Sequence, residues 1–169
     1  MKNIISFIVL ICSVAVILTS CSKDDESTTA ATTAFTSSTT AAGSITFGSE
    51  TLSGTYVSAC SNNPVIATVA ALGALPSDLV AMRNVLVVTS DTSISEETHA
   101  YSDATCSTLS YYSKDGNTSF TVGDASGDNY KVTYTETTYK LMVGTAAAET
   151  WWEALYTAAG ESIDLTVGT

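Results

Sequence analysis

Basic side chains are scarce in this sequence of 169 residues: six Lys and Arg stand against seventeen Asp and Glu, with a single His. Binding to nucleic acid needs clustered cations that displace counterions from phosphates. Here Lys23, Arg83, Lys114, Lys131 and Lys140 are scattered one at a time, which excludes a nucleic-acid partner. The acidity itself speaks mainly to solubility. Catalytic signatures are missing too: there is no Gly-X-Ser-X-Gly elbow, no pair of histidines and no glycine loop built to cradle phosphate. The one histidine, His99, lies on a polar segment near Glu96, Glu97 and Asp103 and is expected at the surface. Only a His99 deep in a cleft, bonded to Glu97 or Asp103 and facing a hydroxyl, would argue for an enzyme. No catalytic, cofactor-binding or metal-ligating residue is therefore assigned, and a non-enzyme is expected.

What is present begins at the amino terminus. Lys2 precedes an apolar run from Ile4 to Leu18 that ends in Thr19-Ser20-Cys21, the layout of a secretory signal. The run is about fifteen residues, short of the roughly 20 that a spanning helix needs, and polar sequence follows at once. Leu18-Thr19-Ser20-Cys21 resembles the bacterial lipobox. The resemblance implies a diacylglyceryl thioether on Cys21, cleavage before it by signal peptidase II, and an acyl chain on the new amino terminus. Two or three chains make membrane attachment effectively permanent, where one holds only marginally. Ser22-Lys23-Asp24-Asp25-Glu26 resembles the lysine-plus-acidic export signal of Bacteroidetes-type lipoproteins, and reads equally well as the solvated start of a linker. Ser22 beside the cysteine also resembles lipoproteins passed on to the outer membrane. The expected location is the cell envelope, at the outer membrane, with the membrane itself as partner through lipid on Cys21.

Loss of residues 1–20 would leave five basic and seventeen acidic side chains, a formal charge of −12. It would also remove Cys12, and with Cys21 lipidated only Cys60 and Cys106 remain in the folded part. Two cysteines outside the cytoplasm point to one disulfide. Residues 21–44 form a lipidated start and a Ser, Thr and Ala-rich stretch with no apolar periodicity, read as a disordered tether. Residues 45–169 are enough for one domain with one core.

That domain is rich in short Thr, Tyr and Val runs broken by Gly, Asp, Ser and Asn, the texture of an antiparallel sheet. Strands are expected at Ile45 and Phe47, Thr55 to Ala59, Asn84 to Thr89 (fully buried), Ile94 to Tyr101 (polar and edge-like), Leu109 and Tyr111, and Phe120 and Val122. Further strands are expected at Tyr130 to Tyr134, Tyr139 to Val143 and Ile163 to Val167. Asp115-Gly116 is a hairpin-turn candidate, and a short turn is expected around Thr137. Pro76-Ser77-Asp78 is expected to cap a short helix over Leu79 to Arg83, with a helical turn before it at Ala67 to Leu72. Thr145 could cap a longer helix through Ala159, ended by Gly160. There Trp151 and Trp152 cannot face the same way, so one is expected under the sheet and the other partly exposed beside Tyr156.

The fold class is mostly β, an antiparallel barrel or sandwich of about eight or nine strands with one helix near the carboxyl end. Gly54-Thr55-Tyr56 is similar to the lipocalin Gly-X-Trp entry motif, with Tyr56 in place of the tryptophan. The late helix also resembles that family, although its Thr-Asp-Tyr motif has no counterpart here. The resemblance implies a barrel with a ligand cavity.

Gly123-Asp124-Ala125-Ser126-Gly127-Asp128-Asn129 gathers oxygen donors in one loop, but lacks the residue order and closing Glu of a calcium loop; a solvated hairpin turn accounts for it. The domain holds eight tyrosines, which suit half-buried strands and could also line a pocket or an outer binding face. The expected function is small-ligand binding in a membrane-anchored β-barrel, with a small apolar ligand as partner. The alternative is a surface module that meets an envelope protein or glycan. An aromatic-lined cavity favours the first; a filled core with exposed Trp152 or tyrosines favours the second.

Overall fold

The computed structural model describes residues 22–23, 37–127 and 129–168. The signal segment, Cys21 and residues 24–36 of the expected tether lie outside them, as does Asp128 of the oxygen-rich loop. Among the described residues the strands are β1 (Ser22–Lys23), β2 (Ser44–Phe47), β3 (Glu50–Ser53), β4 (Thr55–Val57), β5 (Ala81–Ser90), β6 (Ser93–Tyr101), β7 (Leu109–Ser126) and β8 (Asn129–Val143). Two helices join them, α1 (Pro64–Ala71) and α2 (Ala146–Ala158). The protein is thus mostly antiparallel β with a helix near its carboxyl end, as expected. The main sheet has the order β1-β4-β5-β6-β7-β8, is open, and leaves β8 as an edge, while β2 and β3 form a separate hairpin.

Residues directly opposite one another in an antiparallel pair point to the same face, so the register sorts the sheet into rows. Met82, Ala100, Tyr111 and Val143 form one row across β5, β6, β7 and β8. All four are buried, together with Ile66 and Ala70 of α1 and Ala148 and Trp152 of α2. At the far end of the same face Val88 and Ile94 are opposite each other and pack with Ile45 and Phe120 in a second cluster under the β2–β3 hairpin.

Both helices start as their sequences dictate. Asn63 accepts a hydrogen bond from Val65 N at 2.9 Å, ahead of Pro64 at the first helical position. Thr145 accepts one from Ala148 N at 3.2 Å, and Gly160 follows the α2 end at φ 80°. Trp152 is buried edge-on to Tyr111, with ring centroids 5.5 Å apart. Trp151 is half-buried, and its indole N–H donates to the Gly73 carbonyl at 2.9 Å. The ring beside Tyr156 is that of Trp152, at 6.3 Å.

Several local expectations are corrected. Asp115-Gly116 is no turn: β7 runs straight through it, and Asp115 and Gly116 pair with Glu96 and Ser95 on one side and Tyr139 and Thr138 on the other. Two partners supply hydrogen bonds that a turn would forgo. Thr137 is likewise no turn but an extra residue within β8, where the register shifts between Gly116 and Asn117. The expected helix over Leu79 to Arg83 gives way to β5, because Asp78 accepts from the Ser110 hydroxyl at 3.0 Å and Val80 N is drawn to Tyr101 O at 2.9 Å. Ile163 to Val167 is not a strand; Leu165 N donates to Glu153 Oε1 at 3.1 Å and packs on the helical cluster. The Ile94 to Tyr101 segment is no edge strand either, since β6 lies between β5 and β7.

Two further bulges bend the outer half of β7, the first at Ser119 with φ 55°. There Phe120 N leaves the ladder for Thr92 O, 2.9 Å away. The β7–β8 ribbon then meets the β2–β3 hairpin, where Phe47 lies edge-on to both Phe120 and Tyr130. On entering β2, the chain ties to β5 through Ala42 N to Val88 O at 2.8 Å, and Gly43 turns beside Asp91 with φ 77°. A Cβ at Gly43 would come within 2.6 Å of Asp91 N, so glycine is required there.

Cys60 and Cys106 are joined by a disulfide between the segment after β4 and the β6–β7 loop. Asp103 organises that loop by accepting from Thr105 N at 2.9 Å and Ser107 N at 3.1 Å, and from the Thr105 hydroxyl. Closing a loop of 46 residues constrains the unfolded chain by about 4 kcal/mol in the chain-entropy model. The double variant Cys60→Ala/Cys106→Ala is therefore expected to lose stability of that order in urea unfolding. An unchanged midpoint would show that the bond constrains nothing in the unfolded chain.

Candidate functional site

The two faces of the sheet carry different chemistry. On one face, Arg83, His99 and Tyr112 form a row and Val85, Glu97 and Lys114 the next. Glu97 is buried, at 2% exposure. Its carboxylate holds three partners: His99 Nε2 at 3.0 Å, the Ser37 hydroxyl at 2.9 Å and the Thr39 hydroxyl. Lys114 Nζ donates to Thr39 Oγ1 at 2.7 Å. The end of the expected tether, residues 37–42, is therefore seated on the sheet.

His99 is not the surface residue expected from its polar surroundings. Its side chain is 13% exposed and its ring packs 4.8 Å from that of Tyr112. The sequence alternation could have found this, since β6 is central and His99 shares its face with Glu97. The order of groups nevertheless differs from a nucleophilic relay. A hydroxyl nucleophile needs the imidazole between itself and the carboxylate; here the carboxylate stands between the hydroxyls and the imidazole. Burial moves the His99 pKa down more than Glu97 raises it, and the hydrogen bonds from Thr39, His99 and Ser37 hold the Glu97 carboxyl below its usual range despite its own burial. A carboxylate so held is a poor base, and the cluster works as a clasp for residues 37–39. Asp103, expected beside His99, is turned to its own loop.

The opposite face carries the helical cluster at one end and the hairpin cluster at the other. Between them lies an uncovered band. One of its rows runs Tyr56, Leu86, Glu96, Asp115, Tyr139 across β4 to β8. The adjacent row toward the hairpin continues from Ile94 to Asn117 and Glu136. Glu96 and Glu136 are exposed, Asp115 is half-buried, and Asn117 is only 4% exposed. Tyr134, 50% exposed and stacked on Phe120 at 6.2 Å, borders the band on one side. Tyr139, whose hydroxyl is hydrogen-bonded to Tyr156, borders it on the other.

Carboxylates gathered this way oppose one another's ionisation. Desolvation and the neighbouring Glu96 and Glu136 raise the Asp115 pKa to about 6. Desolvation and Glu136 also raise that of Glu96, and the hydroxyls of Tyr134 and Tyr139 are pushed up by burial and by Asp115 among other neighbours. This acidic band was not legible from the sequence, because it depends on Asp115 lying inside a strand. The oxygen-rich Gly123 to Asn129 segment, by contrast, is the end of the β7–β8 hairpin, with Ser126 opposite Asn129. Among the described residues, no group of three or more His, Cys, Asp or Glu is placed to hold a metal ion, and no helix is long and apolar enough to cross a membrane.

The chain matches no protein-family model, no curated protein and no solved structure. The functional reading therefore rests on the residues themselves.

A carboxyl whose pKa is higher in the folded state than in the unfolded chain favours folding at low pH and loses that contribution as pH rises through the folded value. For Asp115 the window runs from 3.8 to about 6. Asp115→Asn, neutral throughout, is expected to melt at the same temperature as the parent near the bottom of that window and above it at pH 7.5. A difference in melting temperature that does not grow with pH would contradict the raised pKa.

Proposed function

We propose that this protein is a lipid-anchored component of a bacterial cell envelope whose folded domain is a non-enzymatic interaction module. The observation that carries the reading is β8. It is a fifteen-residue strand at the open edge of the main sheet, and Tyr130, Val132, Tyr134 and Tyr139 on it are each 37–50% exposed. An edge strand offers a row of backbone donors and acceptors to an incoming extended segment, and alternate side chains supply selectivity. Lys131, Glu136 and Lys140 interrupt the apolar pattern, and charges of that kind discourage indiscriminate pairing. The small-ligand barrel is less well supported. Its cavity requires a closed sheet, whereas this one is open and its inner rows are filled by Trp152, Tyr111 and Phe120.

The anchor is supported by Leu18-Thr19-Ser20-Cys21 after the apolar run, and placement at the outer membrane by Ser22 and the acidic residues after it. Labelling growing cells with a radioactive fatty acid is expected to mark the protein and to leave Cys21→Ser unmarked and unprocessed or soluble; label retained in the variant would remove the anchor. For the module, a photo-reactive residue at Val132 is expected to give a discrete adduct with an envelope protein in intact cells. Tyr134→Glu should reduce that adduct several-fold, and the same probe at exposed Glu161 should give none. Equal adducts at both positions, or none at Val132, would refute strand addition.

A further inference from the structure

We infer that the uncovered band formed by Glu96, Asp115, Asn117 and Glu136 is a binding site for an organic ammonium group, the chemistry shared by a polyamine and a lysine side chain. This goes beyond strand addition along β8, since it uses side chains on the sheet face rather than the strand's free edge.

Asn117 is the residue that points to a ligand. Its side chain is 96% buried by its 4% exposure, yet its Oδ1 has no hydrogen-bond partner. A buried acceptor left unpaired costs about 1–3 kcal/mol, so such an atom calls for a donor. Register turns Asn117 to the face that carries the carboxylates: Glu136 is directly opposite on β8, Ile94 on β6, and Asp115 is two residues away on its own strand. Glu96 is directly opposite Asp115. The band thus gathers three carboxylates beside an amide oxygen that has no donor.

Among the described residues, the cations of β5 to β7 and of the inner half of β8 do not supply one. Arg83, His99, Lys114 and Lys140 occupy the rows of the opposite face. The groups facing Asp115 are Glu96 from β6, Glu136, Tyr134 and Tyr139 from β8, and Tyr156 from α2. Burial first, and then repulsion between neighbouring carboxylates, raise the Glu96 and Asp115 pKa values, and an added cation relieves the second.

The geometry selects among cations. Adjacent strands are about 4.8 Å apart, which sets Glu96, Asp115 and the β8 residues a strand spacing from one another. No group of three or more of these carboxylates converges tightly enough for a metal ion. An ammonium has three donors that reach acceptors at about 2.7–2.9 Å, and so fits two carboxylates and the Asn117 amide. Tyr134 and Tyr139 at the borders offer ring faces to the cation or its methylenes.

The test uses the full chain extracted from membranes in nonionic detergent, titrated calorimetrically at pH 8 and moderate salt. Spermidine and the capped peptide acetyl-Gly-Lys-Gly-amide separate the two sources, and tetramethylammonium matches the charge without offering an N–H donor. One-site binding of spermidine, the peptide or both is expected, with tetramethylammonium at least tenfold weaker. Glu96→Gln/Asp115→Asn should weaken binding at least tenfold, and Asn117→Leu several-fold while melting no lower than the parent. Glu50→Gln/Asp124→Asn, which removes exposed carboxylates elsewhere, should leave binding unchanged. Affinity should also fall as pH drops below about 6 and Asp115 takes up its proton. The inference is overturned if neither ammonium probe binds, if tetramethylammonium binds as well, or if the band and control variants behave alike. Failure here leaves the Val132 adduct intact, and loss of that adduct leaves the titration intact.

Discussion

The row Met82, Ala100, Tyr111, Val143 is the constraint on which the domain depends. It fixes which residue faces which across four strands, and a slip of one position would turn every side chain of a strand to the other face. The helices are held to this row through Ile66, Ala70, Ala148 and Trp152. Once it is set, the faces of the groups from the row to the first bulges follow by counting in twos along β5 to β8. Glu97 and His99 go to one face, Glu96 and Asp115 to the other, and neighbouring residues in the chain acquire opposite fates.

Those fates show how one stretch of acidic sequence makes two kinds of carboxylate. Glu97 is buried but collects hydrogen bonds from Ser37, Thr39 and His99, so its charge is compensated and serves to seat the chain ahead of β2. Glu96 and Asp115 face each other with Glu136 nearby, and their ionisation is opposed. Burial alone does not separate the two cases, since desolvation acts on both; the presence or absence of donors does. An arrangement that keeps like charges together without compensation weakens the fold, and such violations of local consistency concentrate where a protein meets something else.

Much of the architecture was legible in the sequence, for reasons that can be named. Alternation of Tyr130, Val132 and Tyr134 marked β8, Thr145 and Gly160 bracketed α2, and the two cysteines expected in the folded part left one pairing. The failures have a shared cause. Asp-Gly at 115–116 carries the local signature of a turn, and Pro-Ser-Asp at 76–78 that of a helix start, but each was overridden by partners distant in sequence: Glu96 and Tyr139 for the first, Ser110 and Tyr101 for the second. Local propensity is a weak prior where a long strand gains ladder hydrogen bonds on both sides. The acidic band was lost with the same error, because a turn at Asp115 would have sent its carboxylate into solvent away from Glu96. His99 was misplaced for a related reason: its neighbours in the chain are polar, but its neighbours in space are Tyr112 and Glu97.

The bulge at Thr137 links the acidic band to its aromatic border. An extra residue in one strand changes the alternation beyond it, and if the ladder ran on past Gly116 without the bulge, β8 would present Thr137 and Thr135 where it now presents Glu136 and Tyr134. Phe120 would lose the ring stacked on it, and Asn117 would lose Glu136 as its cross-strand neighbour. A single inserted residue thus sets both the aromatic border of the band and its acidity. Two further shifts on β7 intervene before Tyr130 meets Phe47 of the hairpin, so closing that end of the core and charging the band beside it both depend on irregularities in this one ladder.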